Sequence, residues 1–204
     1  MRVQVDEFMH PGERPQYFSQ GASGVDVQII FDEFALRLVD VIRRAHYVVG
    51  CVAWLTNPLI LAALAKTRGA SIIVQKEDFL RRDTRRAAPF PKRKSNLRAL
   101  YDAVPPLYRT QFPGLSGLSC CSEPTIGIRC AGFANDKSRT VPRCHHKFAI
   151  FCRENDSRQD GESMIPYAVW TGSYNWTLNG EESWENAVLL TSDKVGQAYL
   201  RQWE

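Results

Sequence analysis

The sequence predicts an α/β domain with mainly parallel strands, and three observations carry the prediction. Short β-branched runs alternate with stretches of helical spacing through the first 75 residues, and strand–helix–strand succession is how parallel strands are joined. Further short apolar runs recur after residue 120, separated by polar loops. Hydrophobic residues make up 44% of the 204-residue chain, enough to bury a core and outside the composition of disordered proteins. That length fits one domain, or one domain with an insertion.

The elements follow in order. Residues 1–24 are polar and irregular, with Pro11, Pro15, Gly21 and Gly24, and read as an N-terminal arm. Residues 25–31 have strand composition. Residues 33–45 place Phe34, Leu38, Val41 and Ala45 at helical spacing, with the charges on other faces. A β-branched strand at 47–53 comes next. Asn57 and Pro58 suit the cap and first turn of a helix reaching about residue 66. Gly69 ends that helix, and 71–74 is a buried strand. Residues 78–118 break the rhythm as a basic insertion; Pro89 and Pro91 keep its middle extended, and Ser95 could cap a helix over 96–103. Strands are expected at 126–130, 147–151, 168–171 and 186–190, with a strongly hydrophilic loop at 153–163 and a final helix at 193–203 packed on the sheet. Residues 25–204 thus form a single domain.

Charge narrows the partners. The net charge of +4 is mild, but residues 81–98 carry eight basic residues against Asp83, a local charge of +7 that leaves −3 for the rest. Such a segment is either a solvated loop or a contact for a phosphate backbone. Its candidate contacts are Arg81, Arg82, Arg85, Arg86, Lys92, Arg93 and Lys94, with Phe90 and Tyr101 available to stack on bases. Neither a signal-peptide-length apolar stretch at the N-terminus nor a run of ~18 apolar residues is present. The expectation is a soluble, cytoplasmic protein without a membrane, its six cysteines reduced.

The chemistry gathers around "RCHHKFAIF", residues 143–151, where two histidines and a lysine stand at the mouth of a buried strand. A metal site built from Cys120, Cys121, Cys130, Cys144, His145 and His146 is disfavoured, because no C-x(2)-C or H-x(3–5)-H spacing occurs there. Strand side chains alternate, so His145 and Lys147 project together and His146 projects away. An imidazole beside an ammonium suits a phosphate: the lysine offers charge and donors, and the histidine can attack phosphorus or deliver a proton. Downstream, "TGSYNWT" supplies Gly172 for close backbone approach and Ser173 and Asn175 as donors, and "SWEN" supplies Glu185, a carboxylate able to orient a histidine.

His145-x-Lys147, followed by Gly172-Ser173-Tyr174-Asn175 and Glu185-Asn186, resembles the phospholipase D superfamily, whose hallmark is H-x-K-x(4)-D with a following G-S-x-N. "HHKFAI" and "GSYNWT" are most similar to its small, single-motif nuclease branch. The resemblance spans roughly residues 25–200, with 78–118 outside any motif. It implies an α-β-α sandwich around a mixed, mainly parallel sheet. It also implies a metal-independent phosphodiesterase or endonuclease with no cofactor, acting on DNA or RNA through a phosphohistidine on His145, and by analogy a role in bacterial defence or restriction. Lys147 and Asn175 would hold the phosphate with support from Gly172 and Ser173, and Glu185 would orient His145. One H-x-K per chain implies a site shared across a homodimer; a regulatory partner is left open. The departure is position 152, where the motif aspartate is Cys152. Glu154 and Asp156 lack its spacing. The alternatives are therefore a phospholipase-type enzyme and a non-catalytic nucleic-acid-binding relative.

Overall fold

The computed structural model describes residues 24–75, 92–107, 127–131, 144–154 and 164–203, with 92–96 and 131 as main chain only. The N-terminal arm, Arg81, Arg82, Arg85, Arg86, Phe90, Cys120, Cys121 and most of the loop after residue 154 lie outside the described residues.

Strand β1, Asp26–Ile30, leads into helix α1, Phe34–Arg44. Between them Glu33 adopts a left-handed conformation, φ 51°, and gives α1 no side-chain cap. Helix α1 buries Phe34, Ala35, Leu38, Val39, Val41 and Ile42 on one stripe, and Arg43 and Arg44 sit in its last turn, where the helix dipole favours cations. Strand β2, Tyr47–Val52, is buried on both faces. Helix α2, Pro58–Leu64, starts as its sequence dictates: the Asn57 side chain accepts from Leu59 N at 2.9 Å, and Pro58 takes the first turn, where its missing N–H costs nothing. Strand β3, Gly69–Gln75, follows.

Helix α3, Lys92–Asp102, begins four residues earlier than its sequence suggests, so Ser95 lies within it rather than capping it. Lysine and arginine are good helix formers and extend the helix upstream. Leu97, Val104 and Leu107 are buried and anchor this part of the insertion to the domain. The remaining elements are β4, Ile128–Ala131; β5, Lys147–Glu154; β6, Met164–Gly172; a one-turn helix α4, Leu178–Glu181; β7, Ala187–Thr191; and α5, Asp193–Trp203.

The seven strands form one mixed sheet in the order β1-β7-β6-β5-β2-β3-β4. Parallel pairing is confined to β2-β3 and β3-β4; β5 runs antiparallel to β2, and β5-β6, β6-β7 and β7-β1 are antiparallel too. The expectation of a mainly parallel sheet therefore holds only for β2, β3 and β4. A parallel return needs a crossover of a dozen or more residues, usually helical. Between β5 and β6 the chain offers only nine residues, 155–163, and between β6 and β7 no helix longer than the single turn of α4. Helices α1, α2 and α3 cover one face, whose core includes Leu38, Ile42, Leu61, Ala149, Phe151 and Trp170. Helix α5 covers the other, over Val49, Ile150, Cys152, Val169 and Trp203, and Trp203 Nε1 donates to Gly50 O at 3.1 Å. The α-β-α sandwich is thus present. Among the described residues no helix is long and apolar enough to cross a membrane.

Candidate active site

The site lies where β5 begins. Ala53 N donates to His146 O at 2.8 Å, which holds the residues before β5 against the end of β2. Alternation then sorts the side chains. Lys147 turns toward the α1–α2 face, and its Nζ stands 3.3 Å from each ring nitrogen of His145 and donates to His145 O at 2.9 Å. His146 turns the other way and meets the Phe148 ring edge-on, 5.7 Å between centroids. The two groups expected to act together are brought together, and the third is turned aside.

Lys147 is recessed, 8% exposed. Burial holds its ammonium below the usual lysine range, opposed by the negative charge of Glu185. His146 is lowered as well, first by burial and then by the charges of Lys147 and His145. Behind the site, Cys144 Sγ lies 2.9 Å from Cys51 Sγ, and Cys144 N donates to the Gln75 side chain at 2.7 Å. The Cys144 thiol is lowered to about 7, chiefly by its contact with Cys51. Cys144, one of the residues weighed as a metal ligand, is thus engaged with another thiol.

The GSYN stretch is strapped alongside. Gly172 has φ 153°, and a Cβ there would stand 2.2 Å from Asn186 O, so only glycine allows the approach. Immediately after it Ser173 N donates to Asn186 O at 3.0 Å, and Asn186 N donates to Ser173 Oγ at 3.0 Å. Ser173 therefore clasps the chain beside Glu185, a use that its expected phosphate contact did not anticipate. Tyr174 is buried, stacks on Phe34 at 4.7 Å and donates to Glu181 Oε1. The same Glu181 oxygen accepts from Ala35 N at 2.9 Å and so caps α1, the job Glu33 leaves undone. Thr56 N and Asn57 N each donate to Trp176 O at 2.9 Å, and Trp176 N donates to Trp54 O at 3.0 Å. One ladder therefore carries both Trp54, whose ring stands edge-on to His145 at 6.3 Å, and Asn175. Asn175 is half-buried, and its Oδ1 is buried without a hydrogen-bond partner among the described residues.

Glu185 is half-buried, and its charge acts on Lys147. No hydrogen bond joins Glu185 to His145 among the described residues, so the expected orienting contact is not made within one chain. Of the basic segment, Lys92, Arg93 and Lys94 lie on the main chain of α3.

Cys152 has no place in the site. It is fully buried on the α5 face of β5, beyond a bulge at Phe151, and about five strand residues (~16 Å) from Lys147. Burial raises its thiol to about 12. The carboxylate on this end of the strand is Glu154, which accepts from Tyr47 OH at 2.9 Å and pairs with Arg68. The Arg68 and then the Tyr47 hydrogen bonds hold its carboxyl below the usual range. Sequence reading passed over Glu154 because its spacing is wrong for the motif, and over Glu181 because nothing local marks a carboxylate as the cap of a helix about 145 residues earlier.

No protein-family model matches the sequence. An uncharacterized protein of Acanthamoeba polyphaga mimivirus is 32% identical over 191 residues, 85% of this chain and 62% of the relative, so the chain spans less than two thirds of that protein's length. Among solved structures, the phospholipase D family member Nuc from Salmonella typhimurium matches 88% of this chain and 91% of its own, with TM-score 0.50 and 17% identity. NucT from Helicobacter pylori matches 88% and 93%, with TM-score 0.53 and 13% identity. The architecture is thus that of a known class of α/β proteins. The fold is the phospholipase D fold.

Proposed function

We propose that this chain is a phosphodiester hydrolase that cuts nucleic acid, DNA in preference, through a phosphohistidine intermediate in a site completed by a second copy. The observation that carries the reading is the convergence of Lys147 Nζ on His145 at 3.3 Å beside the GSYN clasp. That pairing offers a phosphate one nucleophile and one fixed cation.

In the proposed reaction a ring nitrogen of His145 attacks phosphorus and forms a P–N bond as the P–O bond to the leaving group breaks. The imidazolium of the partner subunit's His145 gives its proton to the departing oxygen. That histidine, now neutral, takes a proton from water as the water attacks the phosphohistidine and restores His145. Lys147 and Asn175 hold the non-bridging oxygens and neutralise their charge, the task a metal performs in other phosphodiesterases. Glu185 keeps Lys147 charged. The reaction needs one His145 neutral to attack and its counterpart protonated to donate.

The position of Cys152, on the other face and far along the strand, supports catalysis over a binding-only role, since its lost charge is remote from the phosphate. The basic segment supports nucleic acid over lipid. If Arg81, Arg82, Arg85 and Arg86 track a phosphate backbone, neutralising them weakens binding to all sequences alike and flattens the log-affinity against log-salt slope by ~0.7–0.9 per contact. The deciding experiment incubates wild type and His145→Ala with single- and double-stranded DNA and RNA and with liposomes, in EDTA. Cleavage of a polynucleotide by wild type alone, with an acid-quenched phosphohistidine, supports the reading. Cleavage only on adding magnesium, or of liposomes only, overturns it.

A further inference from the structure

The five tryptophans divide into two groups. Trp170, Trp176 and Trp203 are buried in the core. Trp54 and Trp184 are exposed, at 38% and 104%, and both stand at the site end of the sheet. Trp54 follows β2, its ring perpendicular to that of His145 at 6.3 Å between centroids. Trp184 directly precedes Glu185, whose charge acts on Lys147. The recessed ammonium of Lys147 thus has one accessible indole associated with each of the two segments that border it.

We infer that Trp54 and Trp184 are base-stacking residues flanking the phosphate site, and that the strand bound there is single-stranded. The inference rests on the nucleic-acid reading above and names its substrate class. In a duplex both faces of every base are covered by its neighbours, so an indole can stack only on a base that is unpaired or flipped out. The recess adds a second reason: a backbone must bend inward to bring its phosphate to Lys147, and a lone strand does so without breaking pairs. Every base has a π-face, so stacking holds the strand with little regard for sequence.

The test uses the full chain with a fluorescent oligothymidylate, an abasic oligomer of equal length and a duplex, reading anisotropy for affinity and gel cleavage for rate. Trp184→Ala and Trp54→Ala should each weaken oligothymidylate binding roughly tenfold, within the range of one lost stack. They should leave abasic-oligomer binding unchanged, and Trp184→Phe should retain most of the affinity. Wild type should bind the duplex more weakly than the single strand. Equal losses on the abasic oligomer, or tighter duplex binding, overturn the inference. So does sedimentation showing that Trp184→Ala turns a wild-type dimer into monomers, which would make this indole a subunit contact. Wild type that binds the single strand with these stacking effects yet never cuts it sinks the hydrolase reading while the stacking stands.

Discussion

Position 152 shows how a residue can be wrong for a motif and right for a fold. Its thiol is one of the fully buried groups beneath α5, where an aspartate would meet the apolar side chains of that cluster. Cys152→Asp should therefore cost about 3 kcal/mol or more of stability, the usual penalty for an unpaired buried charge. Cys152→Ala should cost only about 1–2 kcal/mol and leave the specific activity of the folded protein intact. Urea melts set beside rates per folded molecule check both. Loss of activity in a fully folded Cys152→Ala would show a role for the thiol at the phosphate. Lys147 gives a second residue-scale prediction. Its ammonium is used charged but titrates below the ordinary ~10.4. The alkaline limb of kcat/KM should fall below that value, and Lys147→Arg, always charged, should move the limb upward even as the changed shape lowers the rate. In the window between the folded and unfolded values the unfolded chain binds more protons, so on this group's account stability rises with pH. A limb unmoved by arginine would assign it to another group.

At the scale of elements, the start of β5 was legible because strand alternation is a strict rule: His145 and Lys147 together and His146 apart follow from spacing alone. Helix α2 was legible because Asn57 and Pro58 punctuate it. The direction of β5 to β7 was not, because a strand's residues report its burial and not the sense in which its neighbour runs; that is fixed by what connects them. Helix α4 was missed because one turn leaves no periodicity to read. The clasp between Gly172-Ser173 and Asn186 is likewise invisible until the two strands lie side by side. It also carries a prediction. Gly172→Ala puts a methyl group against Asn186 O, at 2.2 Å before relaxation, so the end of β6 must part from the start of β7. Activity should drop at least tenfold through misplaced Asn175 and Glu185, a shift of about an ångström at a site being enough for such losses. Helix content by circular dichroism should stay near that of wild type. Activity within twofold of wild type would show that the clasp does not position the site.

At the scale of the whole molecule, one H-x-K per chain sets the stoichiometry of the proposed chemistry. Mixing wild type with excess His145→Ala subunits should drive activity down with the square of the wild-type fraction, since only wild-type pairs hold two histidines. Activity that follows the fraction linearly would place a complete site in each chain. An α/β domain was predictable from the alternation of apolar runs, and the sandwich from the family resemblance, yet the sheet's closure was not, because the first described strand pairs with the last. Asp26 lies opposite Thr191 and Ile30 opposite Ala187. That pairing sets a schedule for assembly. A chain emerging from the ribosome makes β2 and β3 early and can join them at once, but β1 must wait for about 160 residues before its partner exists. Contacts so distant in sequence slow folding, and until they form both hydrogen-bonding edges of β1 lack a strand partner; Val27 and Ile29 stay exposed on this edge strand even afterwards. Consolidation of the domain thus waits until β7 has been made, the moment at which the first and last described strands are knitted into one sheet.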